Sequence, residues 1–230
     1  MTKPAASSPE VVVRVSGFVK SYKQHLAVDR LDLTVKRGEI YGLIGPDGAG
    51  KSSVMKAIAG VLRYDGGSAE VFGTLVDSER AAERVKPRIG FLPQGLGLNL
   101  YPELSVEENI DFFARLRLVP EPELRARKSR LLAITRLDRF RSRLMKQLSG
   151  GMKQKLGLIS TLIHEPELAT LDEPTTGIDP GSRLDFWAIL AEWQADKGMT
   201  ALVSTAYMDE AARFHRLAFL SHGRVLASGT

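Results

Sequence analysis

The chain has 230 residues, a formal net charge of +5 and no cysteine. This length suffices for one large domain with a buried core but not for two full ones, and the lack of cysteine excludes disulfides, thiolate metal sites and cysteine redox chemistry. Apolar runs fall short of the roughly 18 to 20 residues that span a bilayer, and the N-terminus lacks the apolar core of a signal peptide, so we expect a soluble, cytoplasmic chain. The positive charge favours acidic partners such as a nucleotide, an anionic lipid or RNA.

The N-terminal part predicts a short tail and two paired strands. Residues 1–10 are small, polar and proline-bearing, and we expect them to be disordered. Alternating apolar residues in 11–15 and 31–35 predict two strands of an antiparallel sheet, joined through the polar segment 20–25. Tyr22 lies in that connection and could stack on an adenine, although an ordinary loop tyrosine is the better explanation of this residue taken alone.

A glycine-rich loop follows the strand-like run 39–44 and precedes the helix-like run 52–62. Glycines let the backbone turn so that consecutive N–H groups point inward, and the helix that follows adds the positive end of its dipole. Such a turn favours an anion. The loop reads Gly45, Pro46, Asp47, Gly48, Ala49, Gly50, Lys51 and Ser52. We expect Lys51 to contact the β and γ phosphates of a nucleotide and Ser52 to be a Mg²⁺ ligand.

A strand-like run, 88–93, ends just before Gln94. Because α/β sheets bind ligands at the carboxyl ends of their strands, this glutamine could reach a metal ion. The alternative is a surface glutamine in a loop.

Residues 105–146 predict two or three helices, the first with a capping box formed by Ser105 and Glu108. The stretch 115–146 contains eleven Lys or Arg against three acidic residues. A solvated basic helix surface explains this better than a nucleic-acid site, because aromatic residues are not interleaved on the basic face.

Two further features come next, a helix N-terminus that could bind an anion and a pair of carboxylates at the end of a strand. Ser149, Gly150 and Gly151 open an apolar-rich helix and present free N–H groups, which predicts a second anion site. The run 168–173 predicts a buried parallel strand that ends in Asp172 and Glu173. We expect Asp172 to hold Mg²⁺ through water and Glu173 to polarise an attacking water; a helix cap is the bland alternative for such a pair.

Together these motifs resemble the nucleotide-binding domain of an ABC (ATP-binding cassette) ATPase over essentially the whole chain from Val11. The correspondences are Walker A at 45–53, the Q-loop at Gln94, the signature at 148–152, Walker B at 168–172 with Glu173 after it, and the D-loop at 176–179. The resemblance implies an α/β fold of the P-loop NTPase type for 11–230. It has a mixed, mainly parallel core sheet, an N-terminal antiparallel β subdomain and a helical subdomain inserted at about 99–147.

The resemblance also implies a mechanism. Two such domains pair head to tail, and each ATP, with Mg²⁺, lies between one domain's Walker A and the other's signature. Here the nucleotide would contact Tyr22, the loop from Gly45 through Ser53, and Ser149, Gly150 and Gly151 of a partner's signature. Ser52, Gln94 and Asp172 would hold the metal, while Gln94, Lys51 and Glu173 would act in hydrolysis. Without a guanine-selecting N-K-x-D motif, ATP is expected rather than GTP.

One departure from the family is informative. Family members usually carry a histidine in a Ser-Thr-His context after the strand predicted at 200–204, but this chain has Ala206 there. Losing one charged hydrogen bond would slow turnover about ten- to a hundredfold. We therefore predict an asymmetric pair of sites: a slow one on this chain's own Walker motifs, and a faster one that its signature completes on a partner with a histidine.

The segments 99–110 and 204–211 resemble exporter cassettes, especially those fused with a second cassette and a membrane domain. This implies a second cassette and a membrane-spanning domain as partners, with the chain peripheral at the inner face of the cell membrane. Two alternatives stay open: a tandem-cassette ATPase that contacts the ribosome or nucleic acid, and a regulatory cassette that binds ATP without hydrolysing it.

Overall fold

The structure is a computed structural model that describes residues 10–230. All but the last residue of the predicted disordered tail, 1–10, lie outside the described residues. The described chain forms two β-sheets and six α-helices.

The first sheet is four-stranded and antiparallel, in the order β2-β1-β4-β5. Its strands are β1 (Val11–Tyr22), β2 (His25–Lys36), β4 (Gly66–Val71) and β5 (Thr74–Leu75). The predicted antiparallel pairing of the two N-terminal strands is confirmed. Tyr22, however, is the last residue of β1 rather than part of a loop, and it pairs with His25 across the turn.

The second sheet is six-stranded and mixed, in the order β10-β9-β3-β8-β7-β6. Its strands are β3 (Ile40–Ile44), β6 (Ile89–Leu92), β7 (Leu168–Leu171), β8 (Thr200–Thr205), β9 (Arg216–Ser221) and β10 (Arg224–Gly229). Only β9 and β10 pair antiparallel; the other neighbours are parallel. The parallel strands β3, β7 and β8 are buried throughout, as expected for strands covered on both faces.

The six helices pack with the two sheets around the apolar cores. They are α1 (Lys51–Ile58), α2 (Glu79–Val85), α3 (Val106–Leu116), α4 (Glu121–Thr135), α5 (Gly150–Leu162) and α6 (Pro180–Lys197). The predicted capping box of α3 is confirmed, with Ser105 and Glu108 satisfying each other's backbone N–H groups. Helix α1 ends at Ile58, before the predicted Leu62, because Gly60 adopts a left-handed φ of +70° that stops the helix.

Two apolar cores result from this arrangement. One lies between the antiparallel sheet, α1 and the adjacent face of the mixed sheet; the other joins the opposite face of the mixed sheet to α3, α4, α5 and α6. Helix α1 contacts β2, β4 and β8, so it is held between the two sheets. The loop that precedes α1 is therefore fixed from both sides. Helices α3 and α4 fall within the range 99–147 for which we predicted an inserted helical subdomain.

Among residues 10–230, no helix combines the length and the apolar composition needed to cross a lipid bilayer.

His164 lies just after α5 in a mostly buried position. Its ring Nε2 is 3.2 Å from the carbonyl oxygen of Ile89, at the start of β6. Burial and, secondarily, the positive charge of Arg117 lower the pKa of His164 from 6.5 to about 4. The side chain is therefore neutral at pH 7 and donates its Nε2–H to that carbonyl.

This buried imidazole predicts a pH-dependent stability. Between pH 6.5 and 4 the unfolded chain binds a proton at His164 that the folded chain does not, so the free energy of unfolding should fall by about 2–3 kcal/mol as the pH drops through this window. His164→Gln keeps a donor for Ile89 but does not titrate, and urea denaturation at several pH values should show a smaller fall. His222→Gln, which replaces an exposed histidine, is the control. Identical profiles for His164→Gln and wild type would contradict this assignment.

Candidate functional site

A cavity of about 280 Å³ lies where the glycine-rich loop meets the carboxyl ends of the parallel strands. It is lined by Tyr22, His25, Ala27, Asp47, Gly48, Ala49, Gly50, Lys51, Ser52, Ser53, Gln94 and Glu173. Ten of these twelve residues were predicted from the sequence as nucleotide-binding or catalytic. The fold therefore gathers residues from four separated segments of the chain around one space.

The loop between β3 and α1 is shaped by close backbone approaches. Gly50 has a φ of +100°, and a Cβ there would lie 2.7 Å from the carbonyl oxygen of Ala27. At Gly45, a Cβ would lie 2.2 Å from the carbonyl oxygen of Leu220. Only glycine fits both positions, and the first N–H groups of α1 remain available for an anion.

Lys51, the first residue of α1, is only 3% exposed. Its Nζ donates to the carbonyl oxygens of Gly45 at 2.7 Å and Pro46 at 3.0 Å, and forms an ion pair with Glu173 Oε1 at 3.0 Å. Three oxygens thus replace the water around this ammonium group. Such full satisfaction is what a buried cation requires.

Asp172 follows β7 and is fully buried. Its Oδ1 accepts hydrogen bonds from Ser52 Oγ at 3.1 Å and Ser204 Oγ at 2.7 Å. Within residues 10–230, its Oδ2 has no hydrogen-bond partner although it is buried. A buried carboxylate oxygen without a partner suits a cation, and Ser52 supplies a second oxygen beside it. The described residues contain no cluster of three or more His, Cys, Asp or Glu side chains able to hold a metal on their own.

Glu173 is 5% exposed and has a left-handed φ of +46°, which is unusual for a residue with a side chain. Its backbone N–H donates to Ser204 Oγ at 2.9 Å. Its Oε2 accepts from Gln94 Nε2 at 2.8 Å and Thr176 Oγ1 at 3.4 Å. The carboxylate is therefore held between Lys51 on one oxygen and Gln94 on the other. In this structure Gln94 is joined to Glu173 rather than to the Asp172 oxygens.

Tyr22 lies at the mouth of the cavity, 45% exposed, with its hydroxyl 3.2 Å from Ser53 Oγ. An aromatic ring in this half-exposed position can stack on a flat ligand. Asp47 is exposed on the cavity rim.

The second predicted anion site lies elsewhere. Ser149 caps α5 by accepting from the N–H of Met152 at 3.3 Å, and Gly150 and Gly151 form the first turn. A Cβ on Gly151 would lie 2.1 Å from Ser182 Oγ, so the start of α5 packs closely against the start of α6, which Asp179 caps. Ser149, Gly150 and Gly151 are not among the described residues that line the cavity. The two predicted anion sites therefore do not meet among residues 10–230.

Ala206 is exposed directly after β8. The next residue, Tyr207, lies with its ring 4.3 Å from the Arg183 guanidinium carbon. No histidine occupies this position in the chain.

Three residues in or near the cavity were missed by the sequence analysis: Ser204, His25 and Ala27. Ser204 is hydrogen-bonded to both Asp172 and Glu173. The sequence could have indicated Ser204, because it lies at the carboxyl end of a buried parallel strand, where α/β sheets bind their ligands. His25 lines the cavity beside Tyr22 because the β1–β2 turn pairs these two residues. The alternation of apolar residues along the sequence does not indicate which residues pair across the turn.

Comparison with protein families and curated proteins gives a consistent result. Residues 28–176 match the family model described as ABC transporter. The probable multidrug ABC transporter ATP-binding protein YbhF of Escherichia coli (strain K12) is 41% identical over 223 residues, which are 96% of this chain and 38% of that protein. The daunorubicin/doxorubicin resistance ATP-binding protein DrrA of Streptomyces peucetius is 40% identical over 225 residues, which are 97% of this chain and 67% of that protein. The chain thus spans well under half the length of the first relative and two thirds of the second.

Solved structures have the same fold. The cbiO1 protein of Clostridium perfringens, described as part of the ABC transporter complex cbiONQ, superposes with a TM-score of 0.86 at 26% identity and covers 96% of this chain and 88% of its own.

The close approach at Gly50 predicts a difference between two loop glycines. Gly48→Ala adds a Cβ with open space around it at a φ of +77°, so it should cost only about 1 kcal/mol of folding stability. Gly50→Ala must in addition displace the Ala27 carbonyl, and should cost at least about 2 kcal/mol more. Urea denaturation of the two variants measures this. Equal losses would mean that the Ala27 contact does not constrain the loop.

Proposed function

Because the chain belongs to the ABC transporter family, we propose that it is the ATP-hydrolysing cassette of an ABC exporter. The chain is an ATP-binding cassette with the α/β fold of that family, and such cassettes are ATPases. The observation that carries the proposal is the single cavity that brings the loop 45–53, Gln94 and Glu173 together, with Asp172 behind Ser52.

ATP would lie with its phosphates in the glycine-rich loop and its adenine on Tyr22. The N–H groups at the start of α1 and the Lys51 ammonium supply positive charge at one end of the cavity. The half-exposed Tyr22 ring at the mouth provides a stacking surface. This placement uses every cavity residue that the sequence analysis named for the nucleotide.

Ser52 and Asp172 fit a Mg²⁺ ion, since the hydroxyl and the unpartnered Asp172 Oδ2 are both hard oxygen donors. When bound, the ion would neutralise the negative charge that develops on the phosphates during phosphoryl transfer. Gln94 would complete this arrangement only after leaving Glu173, to which it is hydrogen-bonded at 2.8 Å.

Hydrolysis requires Glu173 to be free of Lys51. Glu173 Oε1 lies 3.0 Å from Lys51 Nζ. A γ phosphate beside the Lys51 ammonium would compete with this carboxylate oxygen for the N–H groups of the ammonium. Released from this ion pair, the Glu173 carboxylate can accept a proton from an attacking water that Gln94 orients. The ion pair therefore keeps the base occupied until a phosphate replaces it.

A second cassette is needed to complete the site. The signature residues Ser149, Gly150 and Gly151 do not line this chain's own cavity among the residues the structure describes. A head-to-tail pair, which this separation supports, would bring each signature to the other cassette's ATP. The resemblance of 99–110 and 204–211 to fused exporter cassettes favours a partner cassette on the same polypeptide.

A membrane-spanning domain is the second proposed partner. Leu98, Leu116 and Leu118, at the two ends of the segment that contains α3, are 76%, 64% and 87% exposed. Exposed apolar side chains of this size suit a protein interface. They flank the segment 99–110 that resembles exporter cassettes. An attached membrane domain would place the cassette at the inner face of the membrane.

The ribosome or nucleic-acid alternative has less support. Six of the eleven basic residues in 115–146 form ion pairs with acidic side chains of this chain. They are Arg125, Arg127, Lys128, Arg130, Arg141 and Lys146. Paired side chains contribute less to a phosphate-binding surface than free ones.

Glu173→Gln tests hydrolysis at this site. The amide keeps the side chain's size but cannot take a proton, so ATP hydrolysis should fall at least about a hundredfold while ATP binding persists. We expect size-exclusion chromatography with Mg·ATP to show a longer-lived dimer than for wild type. Lys51→Ala, which should lose ATP binding, is the control. A dimer lifetime that Glu173→Gln leaves unchanged would instead favour the non-hydrolysing, regulatory alternative.

Ala206→His tests whether the missing histidine limits turnover. A histidine at the end of β8 would add one charged hydrogen bond to the γ phosphate, and should raise steady-state ATPase activity of the full assembly about tenfold or more. Ala212→His places the same residue at an exposed position further along the chain and should have no effect. If Ala206→His also leaves the rate unchanged, the proposed asymmetry between the two sites is wrong.

A further inference from the structure

A single buried hydroxyl connects the two acidic residues of the site. Ser204 lies near the carboxyl end of β8 and is 0% exposed. Strand β8 runs parallel to β7 with Val203 opposite Leu171, so Ser204 lies beside the point where β7 ends and Asp172 begins. The strand pairing itself places this side chain against the carboxylates.

The hydrogen bonds of Ser204 have fixed directions. The Glu173 backbone N–H, 2.9 Å away, can only donate, so Ser204 Oγ accepts from it. The hydroxyl proton is then left for Asp172 Oδ1 at 2.7 Å. One side chain thus uses its acceptor and its donor on two consecutive residues of the site.

The two hydrogen bonds of Ser204 fix the orientation of the Asp172 carboxylate and the backbone conformation of Glu173, both of which the proposed reaction needs. With Ser204 and Ser52 on Asp172 Oδ1, the carboxylate is turned so that Oδ2 is left without a partner among residues 10–230. Glu173 has a left-handed φ of +46°, a conformation that a residue with a side chain holds only when its surroundings fix it. Ser204 supplies the hydrogen bond to the N–H of that residue.

We infer that Ser204 is a positioning residue that orients Asp172 toward the metal ion and holds the backbone of Glu173 in place. Its side chain is 0% exposed, and it acts through these two residues. Ala206, two residues further on, brings no hydrogen-bonding side chain, so Ser204 is the residue by which β8 orders the acidic pair. This inference rests on the proposed function, because it assigns Ser204 a task in metal binding and hydrolysis.

Thr200 provides a matched comparison on the same strand. It is also 0% exposed, and its Oγ1 accepts from the N–H of Gly38 at 3.0 Å, at the opposite end of β8. A hydroxyl that merely satisfies a buried N–H should behave alike at both positions. Only Ser204 should influence the metal and the reaction rate.

The test compares Ser204→Ala with Thr200→Val, and uses Mn²⁺ as a spectroscopic substitute for Mg²⁺. Mn²⁺ binding is followed by electron paramagnetic resonance in the presence of the non-hydrolysable analogue AMP-PNP. For Ser204→Ala we expect roughly tenfold weaker Mn²⁺ binding, the size of effect seen when a group that orients a metal ligand is removed. At saturating Mg²⁺ we expect kcat to fall about tenfold with little change in KM for ATP. Binding of ATP in excess EDTA should stay within twofold of wild type, because the loop 45–53 is untouched.

The outcomes separate this inference from the proposed function. If wild-type protein binds no ATP, the proposed function fails. If wild type binds ATP and Mn²⁺ but Ser204→Ala binds Mn²⁺ equally well, or if Thr200→Val weakens it as much, the assignment of Ser204 is overturned. Should Ser204→Ala not fold, Ser204→Cys keeps the size of the side chain with a weakly hydrogen-bonding thiol and should show the same losses in smaller measure; wild-type values for it would overturn the inference.

Discussion

The parallel alignment of β3, β8, β7 and β6 is the constraint on which the rest of the structure depends. Adjacent parallel strands in one sheet end at the same edge, and the register pairs Ile44 with Thr205, Leu171 with Val203 and Leu92 with Leu171. The residues that follow these strands therefore meet, although they are far apart in the sequence. Because the strands are buried on both faces, a shift in register would disrupt the core, so the positions of the site residues are fixed by apolar packing.

The charged side chains of the site are buried, so their interactions with each other are screened little by water. Lys51 and Glu173 are 3% and 5% exposed, and each is held by several partners, as buried charges must be. In such surroundings an incoming phosphate competes directly with a carboxylate for one ammonium group. In the proposed mechanism, this Lys51–Glu173 ion pair therefore links nucleotide binding to release of the base.

The two predicted anion sites lie on separate elements of the structure. One is the cavity before α1, and the other is the start of α5, which packs against the start of α6. Since both are helix N-termini, both favour anions. Their separation within residues 10–230 is the physical reason why we propose a head-to-tail pair of cassettes.

The sequence by itself determined the loop 45–53, the acidic pair after β7, Gln94, and the order of the strands and helices that were predicted from it. These are local signals: glycine spacing, apolar runs and capping residues act over a few positions, as at Ser105 and Glu108. Helix ends were less accurate, since Gly60 stops α1 earlier than its apolar pattern suggested. Only the tertiary structure decided that Ser204 joins Asp172 to Glu173, that Lys51 pairs with Glu173, and that His25 lies beside Tyr22. These contacts depend on how strands pair and how closely the sheets pack on α1, and that arrangement comes from burying the whole core at once, so no local stretch of sequence encodes it.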